Sequence, residues 1–223
     1  MELSSQHTDT NQRNQEWLML AKKADSNSAL IEQMVDLLAH IDPYENKSML
    51  PRCCAQFGYI AGLRSLVLTA PNADWDRVMS AAVMGNQKKS VEFLLAHIDP
   101  QLSIKEDAIN PSPNQSLRLS IENGQQEILQ LLIAVVPEQQ RTNVLLWALE
   151  EYNYAVQNHK PVELLERSIQ VLYPTTNAIK LLHKDSGLPL NTPARDFLSD
   201  LLAKNVKIIG EMNLNITLRK IRQ

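Results

Sequence analysis

Seven residues, Leu37-Leu38-Ala39-His40-Ile41-Asp42-Pro43, return unchanged as Leu94-Leu95-Ala96-His97-Ile98-Asp99-Pro100. An identity of that length inside one chain argues first for internal repetition. A looser copy follows at Leu131-Leu132-Ile133-Ala134-Val135-Val136-Pro137, and two more apolar runs close on Pro71 and Pro174. The five prolines stand at 43, 71, 100, 137 and 174, at intervals of 28, 29, 37 and 37 residues, a mean of (174 − 43)/4 or 32.75. Apolar runs at helical spacing, each closed by proline at such a period, describe stacked helix pairs. One pair cannot bury its apolar faces alone, whereas several stacked pairs share a continuous core. The expected fold class is therefore all-α, a helical-repeat solenoid.

Composition agrees. Glycine numbers only 6 and aromatics 5%, too few for the turns and strands of an all-β protein. A net charge of −3 gives no general pull toward nucleic acid or anionic membrane, so neither is an expected partner. The two cysteines, Cys53 and Cys54, are neighbours, and adjacent cysteines rarely bridge. A reduced, cytoplasmic protein is the expectation. The first residues carry no basic segment followed by an apolar one, and no run approaches eighteen apolar residues, so neither a signal peptide nor a membrane span is expected.

Along the chain, residues 1–13 are polar and read as a flexible leader. Residues 14–174 read as the repeat array, with helix pairs ending near each of the five prolines. Pro51, tolerated only in a first turn, places one helix start close to Ser48. Residues 101–113 break the rhythm and read as a long loop. A first helix through Val144, Trp147 and Tyr152 extends to about residue 157. Residues 175–223 read as a helical C-terminal cap or appendage, in which Thr192-Pro193 opens a helix through Phe197, Leu198, Leu201 and Leu202.

In three places the repeats carry further detail. Gly124-Gln125-Gln126-Glu127-Ile128-Leu129-Gln130-Leu131-Leu132-Ile133 and Gly58-Tyr59-Ile60-Ala61-Gly62-Leu63-Arg64-Ser65-Leu66-Val67 follow one register, and Ala81-Ala82-Val83-Met84-Gly85 has the form Ala-Ala-x-x-Gly. Helix pairs with glycine between them at this period resemble the ankyrin repeat, over roughly residues 15–174 and about five divergent units. The family's Thr-Pro-Leu-His start is replaced by Asp76-Arg77-Val78-Met79 and Gln115-Ser116-Leu117-Arg118. The resemblance therefore implies hairpin fingers shortened to plain loops. It is similar in this to the ankyrin-like proteins of intracellular bacterial pathogens, many of which act as effectors in a host cytosol.

No spacing typical of catalysis, metal ligation or cofactor binding is present: there is no phosphate loop, no His-Glu-x-x-His, no Gly-x-Ser-x-Gly and no Cys-x-x-Cys. His40 and His97 read as helix-end residues, Asp42 and Asp99 as turn formers, and Cys53-Cys54 as buried thiols. No cofactor and no metal are expected. The resemblance implies a monomeric, non-catalytic protein-protein interaction module, an effector or adaptor, that presents a concave surface to another protein. In the family, the residues just before the inter-helix glycine point to that surface. Here they are Gln56, Phe57, Val83, Met84, Glu122 and Asn123. Phe57, Val83 and Met84 read together as an apolar patch flanked by polar residues, and the competing reading places one or more of these three in the core. Arg52 and Arg118, at the family's histidine position, are candidates to bind backbone groups of neighbouring loops. The alternative function is an enzyme or enzyme regulator with a site between the array and the C-terminal appendage, using His159, His183, Asp185 or Asp196. A basic ending, Arg219-Lys220-Ile221-Arg222, reads as a solvated face or a contact with an acidic partner or phosphate.

Overall fold

A computed structural model of the chain describes residues 2–24, 28–41, 45–104, 114–176, 178, 181 and 192–205. Among these residues there are helices and no β-strand. They pack as two units, Met1–Val136 and Pro137–Gln223.

The first unit holds α1 (Glu2–Ala24), α2 (Ser28–Leu38), α3 (Glu45–Phe57), α4 (Ile60–Thr69), α5 (Trp75–Met84), α6 (Lys88–His97), a short α7 (Pro100–Ser103), α8 (Gln115–Glu122) and α9 (Gln126–Val135). The helices pair as α1 with α2, α3 with α4, α5 with α6 and α8 with α9. First helices also pack on first helices, α3 on α5 and α5 on α8, while second helices follow as α4 on α6 and α6 on α9. Leu50, Leu63, Leu66, Val78, Met79, Leu94, Ile121, Leu129 and Leu132 fill the layer between them and are buried. Small residues let the helices close up. Gly62 of α4 lies so near α3 that a Cβ there would stand 2.6 Å from Cys54 Sγ. Between α5 and α8, Ser80 and Ser116 share a buried hydroxyl contact of 3.1 Å.

The first helices α3, α5 and α8 end in the same way. Gly58, Asn86 and Gly124 have φ of 77°, 53° and 62°. The amide after each reaches back to the helix, Tyr59 to Cys54 O at 2.9 Å, Gln87 to Ala82 O at 2.9 Å and Gln125 to Ser120 O at 2.8 Å. This left-handed cap satisfies the last carbonyls and turns the chain into the second helix. Gly85, expected to be the turn glycine, instead has φ −78° and is the last right-handed residue before the turn. Its missing side chain serves a different purpose: a Cβ would lie 2.0 Å from the carbonyl oxygen of Gln56 in the turn beside it.

Several expectations change. The leader 1–13 is helical from Glu2, because α1 propagates from the buried face of Asn14, Trp17, Ala21 and Ala24 through a stretch free of proline and glycine. Trp17 anchors this face by donating its Nε1–H to Met34 O at 3.0 Å. Helix α3 starts at Glu45, so Pro51 lies inside it rather than in its first turn. The second copy of the duplicated motif is more than a stop. Asp99 accepts the Gln101 amide at 2.9 Å and caps α7, in which Pro100 is the first residue. The expected loop 101–113 is thus helical at its start, and residues 105–113 lie outside the described ones, as do Asp42 and Pro43.

The second unit holds α10 (Glu138–Gln157), α11 (Glu163–Leu172), a 3-10 turn (Tyr173–Thr175) and a helix over 193–205, here α12. Pro137 precedes α10 as its N-cap residue, and α10 runs to residue 157 as its periodicity predicts. It ends in the same left-handed turn, with His159 at φ 53° and the Lys160 amide on Ala155 O at 2.8 Å. Helix α12 begins after Thr192 as expected. A buried side chain of α10 holds its first turn, since Asn153 Oδ1 accepts the Ala194 amide at 2.8 Å. Beside it the rings of Tyr152 and Phe197 stack at 5.1 Å.

Candidate functional site

Successive first helices of the first unit leave a groove of about 330 Å³ between them. Arg52 and Gln56 line it from α3, Arg77, Ser80, Ala81 and Met84 from α5, and Gln115 from α8. The rule that places them can be counted from the left-handed residues 58, 86 and 124. Two positions back are Gln56, Met84 and Glu122; six back are Arg52, Ser80 and Arg118; nine back are Met49, Arg77 and Gln115. Positions separated by three and four residues share one helix face. Ser80 of the lining meets the Ser116 hydroxyl of α8, and Gln125 Nε2 ties the next turn to Val83 O at 2.9 Å.

Of the six expected partner-binding residues, Gln56 and Met84 line this groove. Phe57 and Met84 are exposed, at 57% and 55%. The Phe57 ring leans on Tyr59 with centroids 5.8 Å apart. Glu122 and Asn123 are exposed at the end of α8, where Glu122 pairs with Arg118 at 3.7 Å. Val83 is fully buried and leaves the set. The reason is the turn register: with Asn86 as the left-handed residue, the equivalents of Gln56 and Phe57 are Met84 and Gly85, one position later than the glycine pattern indicates. Arg77, Ser80 and Gln115 were not singled out from sequence; Arg77 and Ser80 fall into line once Asn86 is taken as the turn residue, and Gln115 stands nine before Gly124.

The remaining candidates have structural surroundings. His97 Nδ1 stands 2.8 Å from Phe93 O and its ring stacks on Phe93 at 4.2 Å, at the end of α6. Cys54 is buried, and desolvation pushes its thiol well above the ordinary value of 9.0. Burial also raises the Cys53 thiol, against the pull of the Arg52 guanidinium. Both shifts disfavour the reactive thiolate. Lys88 bonds Glu127 of the next second helix at 2.8 Å, which raises the lysine and lowers the carboxylate. In the second unit His159 serves as the turn residue of α10. Tyr152 donates to Glu166 at 3.3 Å; burial of its ring, then the Glu166 charge, raises the phenol. His183, Asp185 and the basic ending 219–222 lie outside the described residues. Among the described residues no helix is long and apolar enough to cross a membrane.

Compared with models of protein families, with curated proteins and with solved structures, the chain matches none of them.

Proposed function

We propose that the first unit is a divergent ankyrin-type repeat array and that it binds another protein, without catalysis, on the face formed by α3, α5 and α8. One observation carries this reading. A groove lined mostly by polar and charged side chains also carries Met84, which remains in solvent, as does Phe57, the residue after Gln56 of the lining. Exposed apolar groups rimmed by polar ones are a common build for a protein-binding patch. The repeat part of the reading is supported by three first helices that end in the same left-handed turn and pack in sequence. Helices that are fixed on both sides present a preformed surface, so little ordering entropy is lost on binding. An effector or adaptor working in a cytosol is the setting that the ankyrin resemblance suggests for such a surface.

The test is affinity capture on immobilised wild type and on the Phe57→Ser/Met84→Ser variant, with circular dichroism as the control for folding. Partners retained by wild type and lost by the variant support the reading. If the folded variant keeps every partner at wild-type level, the chosen face is wrong.

A further inference from the structure

The arginines of the first helices are not equally provided for. On α8, Arg118 has its carboxylate within the helix, Glu122, one turn later. On α3 the equivalent pair is Arg52 and Gln56, so the carboxylate is replaced by a neutral amide. Among the described residues Arg52, half-buried, has neither an ion pair nor a hydrogen bond. Arg77 approaches the same groove. Its Nε is held by Asp74 at 3.0 Å, and a guanidinium carries five N–H donors, so donors remain. Among the described residues no Asp or Glu lines the groove, and Gln56, Gln115 and Ser80 add only neutral polar groups.

We propose that this groove receives the carboxylate of an Asp or Glu side chain from a protein partner, with an apolar neighbour of that residue resting on Met84 and Phe57. The inference rests on the protein-binding reading above and specifies the chemistry of the partner. The incoming carboxylate supplies to Arg52 what Glu122 supplies to Arg118. Arginine suits the task because its planar fork meets a carboxylate with two parallel hydrogen bonds. The volume of about 330 Å³ accommodates one such side chain and its neighbour. Nucleic acid is a poorer match, because among the described residues no lysine lines the groove and the chain carries a net charge of −3.

The experiment selects a display library of short random peptides on the immobilised full chain. The best-enriched peptide is then measured against four proteins by fluorescence anisotropy: wild type, Arg52→Gln, Gln56→Glu and Phe57→Ser/Met84→Ser. Gln56→Glu is the conservative partner of Arg52→Gln, since it recreates on α3 the pairing that α8 already tolerates. Enriched sequences are expected to place Asp or Glu beside an aromatic or aliphatic residue. Arg52→Gln and Gln56→Glu should each weaken binding by about tenfold, the range of a charge-assisted hydrogen bond. Amidating the peptide carboxylate should lose a similar factor on wild type and little further on Arg52→Gln. The inference is overturned if nothing is enriched, if enriched peptides lack acidic residues, or if single-stranded nucleic acid binds more tightly and depends on Arg52. Loss confined to Phe57→Ser/Met84→Ser overturns the carboxylate site and leaves the protein-binding reading intact. Unchanged binding to all three variants overturns both.

Discussion

A single methyl group at Gly85 is expected to unsettle the first unit, although propensity alone says it should help. Gly85 has φ −78° and ψ −1°, a conformation open to any residue, at the end of α5. Replacing glycine by alanine in such a place reduces the freedom of the unfolded chain and stabilises by about 0.4–1 kcal/mol. Against this stands Gln56. The new Cβ would lie 2.0 Å from its carbonyl oxygen and 2.8 Å from its carbonyl carbon. Real contacts stop near 3.0 Å, so the two turns must part by at least 3.0 − 2.0, or 1.0 Å. The obstacle is backbone, which cannot swing aside as a side chain would. Overpacking of this kind costs up to about 3 kcal/mol. The net loss is then about 2 kcal/mol, or a fall in Tm of roughly 4–8 °C for a chain of this size.

Thermal and urea unfolding followed by far-ultraviolet circular dichroism will read the change. Asn86→Ala is the companion variant: it meets the left-handed backbone at φ 53°, where alanine costs roughly 1–2 kcal/mol. The two substitutions fail for separate reasons, one steric between turns and one conformational within a turn. A Gly85→Ala protein as stable as wild type, or more so, would refute the close approach of the two turns. Because Gln56 and Met84 border the groove, the same substitution should also weaken partner binding more than its stability loss explains.

Four other outcomes follow from the packing. Val83→Ala should cost about 2 kcal/mol in urea unfolding and Met84→Ser less than about 0.5, since only the first is a core residue. Asn153→Ala should destabilise by about 1–2 kcal/mol and speed hydrogen exchange in α12 first, because Ala194 loses its cap. Stability should fall as pH rises above about 9: the raised folded-state value of Cys54 means the unfolded chain releases that proton first. Cys54→Ala should flatten the slope between about pH 8 and 10. Leu94→Ala should cost about 3 kcal/mol or more and Leu37→Ala clearly less, although both open the same seven-residue motif.

The helical class and most second helices were legible because their apolar residues keep a helical spacing. Ile128, Leu129 and Leu132 of α9 are buried as that spacing requires, and so are Leu63 and Leu66 of α4. The long α10 and the start of α12 were equally plain, one from its unbroken period and the other from Thr192-Pro193. The turn of α5 was not. Gly85 and Asn86 are adjacent, both are compatible with a turn, and a pattern anchored on glycine selects the wrong one. What separates them is a long-range contact, the Gln56 carbonyl against Gly85, which no local rule contains. That error of one residue put Val83 in the candidate site. Gln56 and Met84 survived it because they stand two positions before the true turn residues, and Phe57 survived because Gly58 is both the glycine and the turn. Arg77, Ser80 and Gln115 lie six and nine positions before their turns and reach the groove only through the packing of α3, α5 and α8.

The duplicated heptapeptide makes the same point from the other side of the helix pairs. It closes α2 and α6, both second helices, so it takes no part in the groove, which first helices line. Nor do its two copies behave alike. In α6 the first leucine, Leu94, is fully buried and Leu95 only half so. In α2 the order reverses, with Leu37 half-buried and Leu38 in the core. Helix α6 has second-helix neighbours on both sides, α4 and α9, and continues to His97. Helix α2 packs on α4 among second helices and stops at Leu38, where a turn takes over. The two copies differ in which leucine of the pair is buried more deeply, while Ile41 and Ile98 are buried in both and Ala39, His40, Ala96 and His97 are exposed in both. Measured along the sequence, the repeat is set by proline; measured in the fold, it is set by the left-handed turn residues 58, 86 and 124. The two measures part at α5 and agree on α3 and α8, where both align Arg52 with Arg118 and Gln56 with Glu122, and that alignment shows a neutral amide on α3 where α8 carries a carboxylate.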